Sequence, residues 1–391
     1  MKLAKPYIII LLIVVTLTII GIFFILFQKS AVKLGQDTSV ISETPKPPFQ
    51  PPEVVKAIYV TSWSATKEDY INHVIDIAKN TEINSVVIDI KDWSGYVDYD
   101  TKVPKVEKYN AKSIRIKDIG SLIQRLHEEG IYVIARITIF QDPRLAEARP
   151  DLAVHSKSKL AFAPLSLSSL WLDKSGLAWI DPAAKESWDY NIAIAKDTLK
   201  QGFDEINFDY VRFPSDGDLK DMSFSFWNES ISKHLIIKEF FKQLRQELPD
   251  VKLSIDFFGL STVSYNDLGV GQIIEDAFEY FDYVCPMIYP SHYAEGFLGY
   301  QNPADYPYEV VKYSMESALR RLSAYNQIKK RNVQLRPWLQ DFSLGAIYDA
   351  EMVRSEIKAV YDATKDNFRG FMLWSSSNVY TEEAFQPVYS K

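Results

Sequence analysis

From Lys56 onward the chain repeats one pattern: a short apolar run, a loop, then a longer stretch whose apolar positions recur every three to four residues. The apolar runs predict eight strands, at residues 57–61, 85–91, 132–140, 205–211, 253–258, 283–289, 334–340 and 370–375. The amphipathic stretches predict helices that include 67–79, 118–129, 183–201, 231–247, 307–329 and 350–364. Gly130 and Gly202 stand where a helix C-terminus calls for a residue free to take a positive φ. Strands alternating with helices build a parallel sheet, and eight such units predict an α/β fold of the (β/α)8 TIM-barrel type. An open doubly wound sheet is the alternative, but no Gly-x-Gly-x-x-Gly follows any strand, so a dinucleotide fold is not expected.

Two stretches break the repeat. About forty residues, 140–183, follow the third strand and include His155, Trp171 and Trp179, well beyond the usual connection length. An insertion there lies on the catalytic face of a barrel, either walling a cleft or serving as a structural flap. At the other end, residues 7–27 are apolar except for Thr16, Thr18 and Gly21. At 1.5 Å per residue this run can span a hydrocarbon core of roughly 30 Å. It is longer than the apolar region of a secretory signal, and Gln28 to Ala31 offer no small-x-small cleavage site. Residues 1–30 are therefore expected to be an uncleaved single-pass membrane anchor, with the body of the protein outside the cytoplasm. Lys29 and Lys33 partly balance Lys2 and Lys5, so the charge asymmetry supports that orientation only weakly. The proline-rich stretch within 31–54 reads as a semi-rigid spacer, leaving 55–391 for the barrel.

Composition narrows the function. A net charge of −7 without a long basic block argues against a nucleic-acid partner. One cysteine, Cys285, excludes an intrachain disulfide framework and a cysteine-based zinc site. Five scattered histidines form no His-x-x-x-His pair, so neither a metal nor another cofactor is expected. Aromatic residues make up 14% of the chain, which suits either stacking on sugar rings or a densely packed barrel.

Functional side chains of such a barrel sit at the C-terminal ends of its strands. The richest end is Gly202-Phe-Asp-Glu-Ile-Asn-Phe-Asp-Tyr-Val-Arg-Phe-Pro214. A period of two puts Asn207 and Asp209 on one face and Ile206, Phe208 and Tyr210 on the other. Polar groups inside a central strand are costly unless paired or used, so Asp209 is the first catalytic candidate. Asp256, similarly placed on the neighbouring strand, is the candidate acid/base. Strands about 4.8 Å apart bring the roughly 5–5.5 Å carboxyl separation of retaining glycosidases within reach. Asp89 is the rival for the second role, although Lys91 on its face would make a structural ion pair with it. Arg212 is expected either to hold Asp209 ionised or to cap its loop. Lys91, Arg136, Asn207, Arg212, Tyr289 and His292 are candidates for hydrogen bonding to sugar, and Trp63, Trp93, Trp338 and Trp374 for stacking on it. Cys285 and Met287 are expected in the core.

Phe208-Asp-Tyr-Val-Arg-Phe-Pro214, Met287-Ile-Tyr-Pro-Ser-His-Tyr293 and Phe371-Met-Leu-Trp374 resemble a bacterial family of glycosyl hydrolase barrels, first catalogued as a domain of unknown function and grouped with the family 13-like hydrolases. The likeness covers about residues 55–388. It implies a (β/α)8 fold, a carbohydrate substrate, a site built on Asp209, and frequent secretion or membrane tethering. A weaker similarity to family 18 chitinases ends at their catalytic Glu, because Val211 stands in its place. Two readings remain. One is a membrane-anchored glycoside hydrolase acting on an extracellular or cell-wall polysaccharide. The other is an inactive glycan-binding barrel serving as an envelope scaffold. An esterase would need a metal triad or a Ser-His arrangement, which the sequence does not offer.

Overall fold

The computed structural model describes residues 49–387 except Ala163, Lys330 and Arg331. Eight parallel strands close on themselves: β1 Val55–Val60, β2 Ser85–Lys91, β3 Tyr132–Thr138, β4 Glu205–Asp209, β5 Leu253–Phe258, β6 Tyr283–Ile288, β7 Trp338–Gln340 and β8 Gly370–Trp374. Each strand pairs with the next, and β1 pairs with both β2 and β8, which shuts the barrel. One helix packs outside the barrel after each of the first seven strands: α1 Glu68–Asn80, α2 Ile119–Glu128, α3 Lys185–Leu199, α4 Lys233–Glu247, α5 Ile274–Phe278, α6 Pro307–Ile328 and α7 Ala350–Thr364, with shorter helical turns in the loops. This is the (β/α)8 arrangement read from the periodicity. The five-residue α5 is too short for that pattern to have revealed it.

Local chemistry sets the boundaries. Asp118 caps α2 by accepting from the Ser121 N–H, and Asp349 caps α7 through the N–H groups of Glu351 and Met352. Gly130 and Gly202 take φ of +76° and +106° just beyond α2 and α3, as their positions require. The seventh strand is interrupted, because Pro337 has no N–H for a ladder. Pairing occurs at Gln334–Leu335 and resumes at Trp338, while the Pro337 carbonyl still accepts from Met372 N–H at 2.9 Å.

Alternation sends two apolar sets to opposite faces of the strands. Ala57, Tyr59, Val87, Ile134, Cys285, Trp338 and Met372 belong to the set that fills the barrel, while Ile58, Val86, Ile88, Val133, Ile206, Ile255 and Leu373 join the larger layer beneath the helices. A sealed Arg336–Glu205 ion pair lies in the barrel near the strand starts, where the Arg336 guanidinium also covers the Tyr283 ring. The long segment 140–183 pairs through His155–Ser156 with Met222–Ser223 of the loop after β4. Among the described residues no helix is long and apolar enough to cross a membrane, and the apolar run 7–27 lies outside them.

Candidate active site

Asp209 is the last residue of β4, and the last paired rung between β4 and β5 is Phe208 with Ile255. The next position on each strand is an aspartate. Asp209 and Asp256 therefore stand side by side at the strand ends, separated by about one strand spacing of 4.8 Å at the backbone. Both line a cavity of about 400 Å³ at the C-terminal end of the barrel, on the side of β3 to β8. Arg136, Arg212, Tyr289, His292, Trp338 and Trp374 line it too, as expected from the sequence.

The two carboxylates have different surroundings. Arg136 reaches Asp209 with Nη2 at 2.5 Å and Asp89 with Nη1 at 2.6 Å. Register explains the fork, since Arg136 pairs with Asp89 on one side and with Asn207 on the other. Arg136 thus forms charge-assisted hydrogen bonds to two acids at once. Among the described residues Asp256 has no such cation at bonding distance. It accepts from Asn207 Nδ2 at 2.8 Å and from Trp338 Nε1 at 2.7 Å, both on Oδ1. Burial, and then the negative charge of Asp209, push its carboxyl well above the ordinary carboxylate range despite those donors. One neighbour is held by a cation, and the other favours its proton.

Asp89 is near the pair yet does not line the cavity. It accepts from the Tyr59 hydroxyl and from Arg136, so it holds Arg136 from behind. Lys91 is not its partner. A bulge places Lys91, rather than Ile90, opposite Ile137 and turns it to the outer face. There it pairs with Asp142 at 2.7 Å and bonds the Thr138 carbonyl at 2.6 Å, fully buried. The expected Asp89–Lys91 pair does not form. Asn207 is buried behind the cavity and acts on it only through Asp256. Trp63 and Trp93 do not line the cavity; they are 62% and 55% exposed beyond β1 and β2. The Trp63 ring lies 4.5 Å from the Arg115 guanidinium, which pairs with Asp92 beside Trp93.

Arg212 makes no ion pair with Asp209 among the described residues. Its Nη1 donates to Phe213 O and Ser215 Oγ, both at 3.2 Å, and its carbon lies 4.7–4.9 Å from the rings of Trp179, Tyr210 and Phe258. The long insertion thus acts at second hand. None of its described residues lines the cavity, but it places Trp179 against Arg212 and anchors Trp171 to the Asp218 carbonyl. His155 is structural, engaged by Ser169 Oγ and the Pro150 carbonyl.

Several lining residues were not foreseen. Tyr210, assigned by alternation to the opposite face, takes φ +54°, ends the strand and turns into the cavity. Met287, expected in the core, lines the cavity along with Phe258, Gly259 and Tyr293. Tyr59 is not in the lining but backs it, its ring stacking on Trp374 at 4.0 Å, and was legible in principle as an inward residue just before the strand end. Burial and both aspartates push the Tyr289 phenol well above its ordinary pKa, keeping it a neutral donor.

A family model described as a putative glycosyl hydrolase domain matches residues 57–380. No curated protein matches the chain. Among solved structures it is similar to a hypothetical protein from Ruminiclostridium thermocellum, at 39% identity over 51% of this chain and 96% of that one, with a TM-score of 0.46. It is also similar to the PgaB (BpsB) glycoside hydrolase domain from Bordetella bronchiseptica, at 12% identity over 87% of this chain and 100% of that one, with a TM-score of 0.58. The second likeness is one of fold.

Proposed function

Because the chain belongs to the putative glycosyl hydrolase domain family, we propose that it hydrolyses a glycosidic bond of an oligosaccharide or polysaccharide, with Asp209 as nucleophile and Asp256 as general acid and base. The observation that carries this reading is the contrast between adjacent carboxyl groups, Asp209 bonded to Arg136 and Asp256 buried without a bonded cation. Protonated Asp256 delivers its proton to the leaving oxygen while Asp209 attacks the anomeric carbon. Asp256, then a carboxylate, takes a proton from the water that cleaves the glycosyl-enzyme. Adjacent strand ends favour the short separation, and hence retention of configuration. Trp374, which also stacks on Tyr59, offers an aromatic wall for a sugar ring. Asp89 serves as a positioning residue for Arg136.

In this reading the exposed indoles of Trp63 and Trp93 bind a longer glycan outside the cavity. The apolar run at residues 7–27 supports a membrane anchor with an extracytoplasmic barrel, consistent with a cell-wall or extracellular polysaccharide as substrate. An activity screen of the full-length protein against cell-wall and exopolysaccharide panels tests the central reading, with Asp209→Asn and Asp256→Asn as controls. The Asp256 variant should lose activity on natural glycans far more than on aryl glycosides, whose leaving groups need no proton. Equal losses on both would remove Asp256 from the acid role.

A further inference from the structure

The basic groups around the cavity are not equally engaged. Arg136 is divided between two carboxylates. Burial holds the His292 imidazole below its ordinary pKa, toward the neutral form. Arg212 is 7% exposed, yet its only hydrogen bonds to the described protein are those from Nη1 to a carbonyl and a hydroxyl. Its Nε and Nη2 have no partner among the described residues, neither is sealed as the Nε of Arg136 is, and the side chain lines the cavity. The rings of Trp179, Tyr210 and Phe258 surround the guanidinium and hold it. Burying a cation without a bonded anion is unfavourable unless an anion arrives when the site is used.

From this geometry we infer that the cavity binds an acidic sugar, a uronic acid whose carboxylate takes the two open positions of Arg212 beside the Asp209–Asp256 pair. A planar carboxylate matches the guanidinium fork, whereas neutral sugar hydroxyls accept hydrogen bonds without balancing the charge. The inference deepens the hydrolase reading by naming a substrate class, and its test does not require turnover.

The test measures binding of D-glucuronate, its methyl ester and D-glucose to the full-length protein carrying Asp209→Asn, by ligand-observed NMR. Glucuronate should bind at least about tenfold more tightly than either neutral sugar, the scale of one charge-assisted contact. Arg212→Gln should abolish the preference, and Arg212→Lys should keep only part of it. The methyl ester makes the comparison in a protein with Arg212 intact, so it stands even if an Arg212 variant folds poorly. Equal binding of acid and ester, absence of glucuronate binding at millimolar concentration, or a preference that survives Arg212→Gln overturns the inference. Arg212-dependent glucuronate binding without hydrolysis of any glycan would sustain it while refuting the hydrolase reading. Hydrolysis confined to neutral glycans would do the reverse.

Discussion

Replacing Asp209 by Asn removes one negative charge from beside Asp256 and one of the two carboxylates that Arg136 bonds. The two carboxylates stand at the same level on adjacent strands, one residue past the Phe208–Ile255 rung, so their charges lie on the order of 5 Å apart. At an effective dielectric near 20, that interaction is worth about 3 kcal/mol, equivalent to roughly 2 pKa units on Asp256. Burial remains the larger cause of its raised pKa, and that cause is untouched by the substitution. The Asp256 midpoint should therefore fall by about 1–2 units and still stay above an ordinary carboxylate. Carboxyl ¹³C NMR of aspartate-labelled wild-type protein and variant, titrated in parallel, reads this directly. Hydrolysis should drop at least about a thousandfold, as expected for loss of a nucleophile. Thermal stability should change little, because Arg136 and Asp89 remain as a neutral pair. An unchanged or higher Asp256 midpoint in the variant would refute the coupling on which the assignment of roles depends. The same raised pKa fixes two pH effects in the wild type. Activity should fall on the alkaline side as Asp256 loses its proton, at a pH above the usual carboxylate range. The fold should also lose stability as pH rises from about 4 through the Asp256 midpoint, since the unfolded aspartate ionises first.

Two further outcomes follow from the same geometry. Arg136→Met leaves Asp89 and Asp209 without their shared cation and should destabilise the fold by about 3–5 kcal/mol, measured by chemical denaturation at pH 7. Burial already raises the Asp89 pKa and the Arg136 charge opposes that rise, so the deficit should shrink as pH falls and Asp89 takes up a proton; a pH-independent deficit would argue against the ion-pair role. Trp63→Ala combined with Trp93→Ala should raise KM for long glycans several-fold while sparing short ones, with stability within about 0.5 kcal/mol because both indoles are exposed; equal effects on long and short glycans would discard the platform.

The sequence was most informative where a period could be followed. Strands at every turn of the barrel and all of the helices α1 to α7 except α5 were readable, because apolar spacing reports burial directly. Asp209 and Asp256 were readable for the same reason, as acids on the inward face of adjacent strand ends. The readings failed where the backbone leaves its period. One extra residue after Asp89 turns Lys91 from the presumed partner of Asp89 to Asp142 on the outer face. A single left-handed residue turns Tyr210 from the outer face into the cavity.

By itself, then, the sequence determined the eight-fold alternation, the face on which the acids lie and the end of the barrel where Asp209 and Asp256 meet the cavity. These follow from side-chain periodicity and the direction of parallel strands. Only the tertiary structure decided which charges meet. Arg136 reaches two carboxylates, Asp256 stands among neutral donors, and Arg212 is enclosed by aromatic rings from separate segments of the chain. Pairing across strands is set by register and by bulges, through contacts between residues far apart along the chain. The physical properties of Asp209, Asp256 and Arg212 belong to those contacts more than to their positions in the sequence.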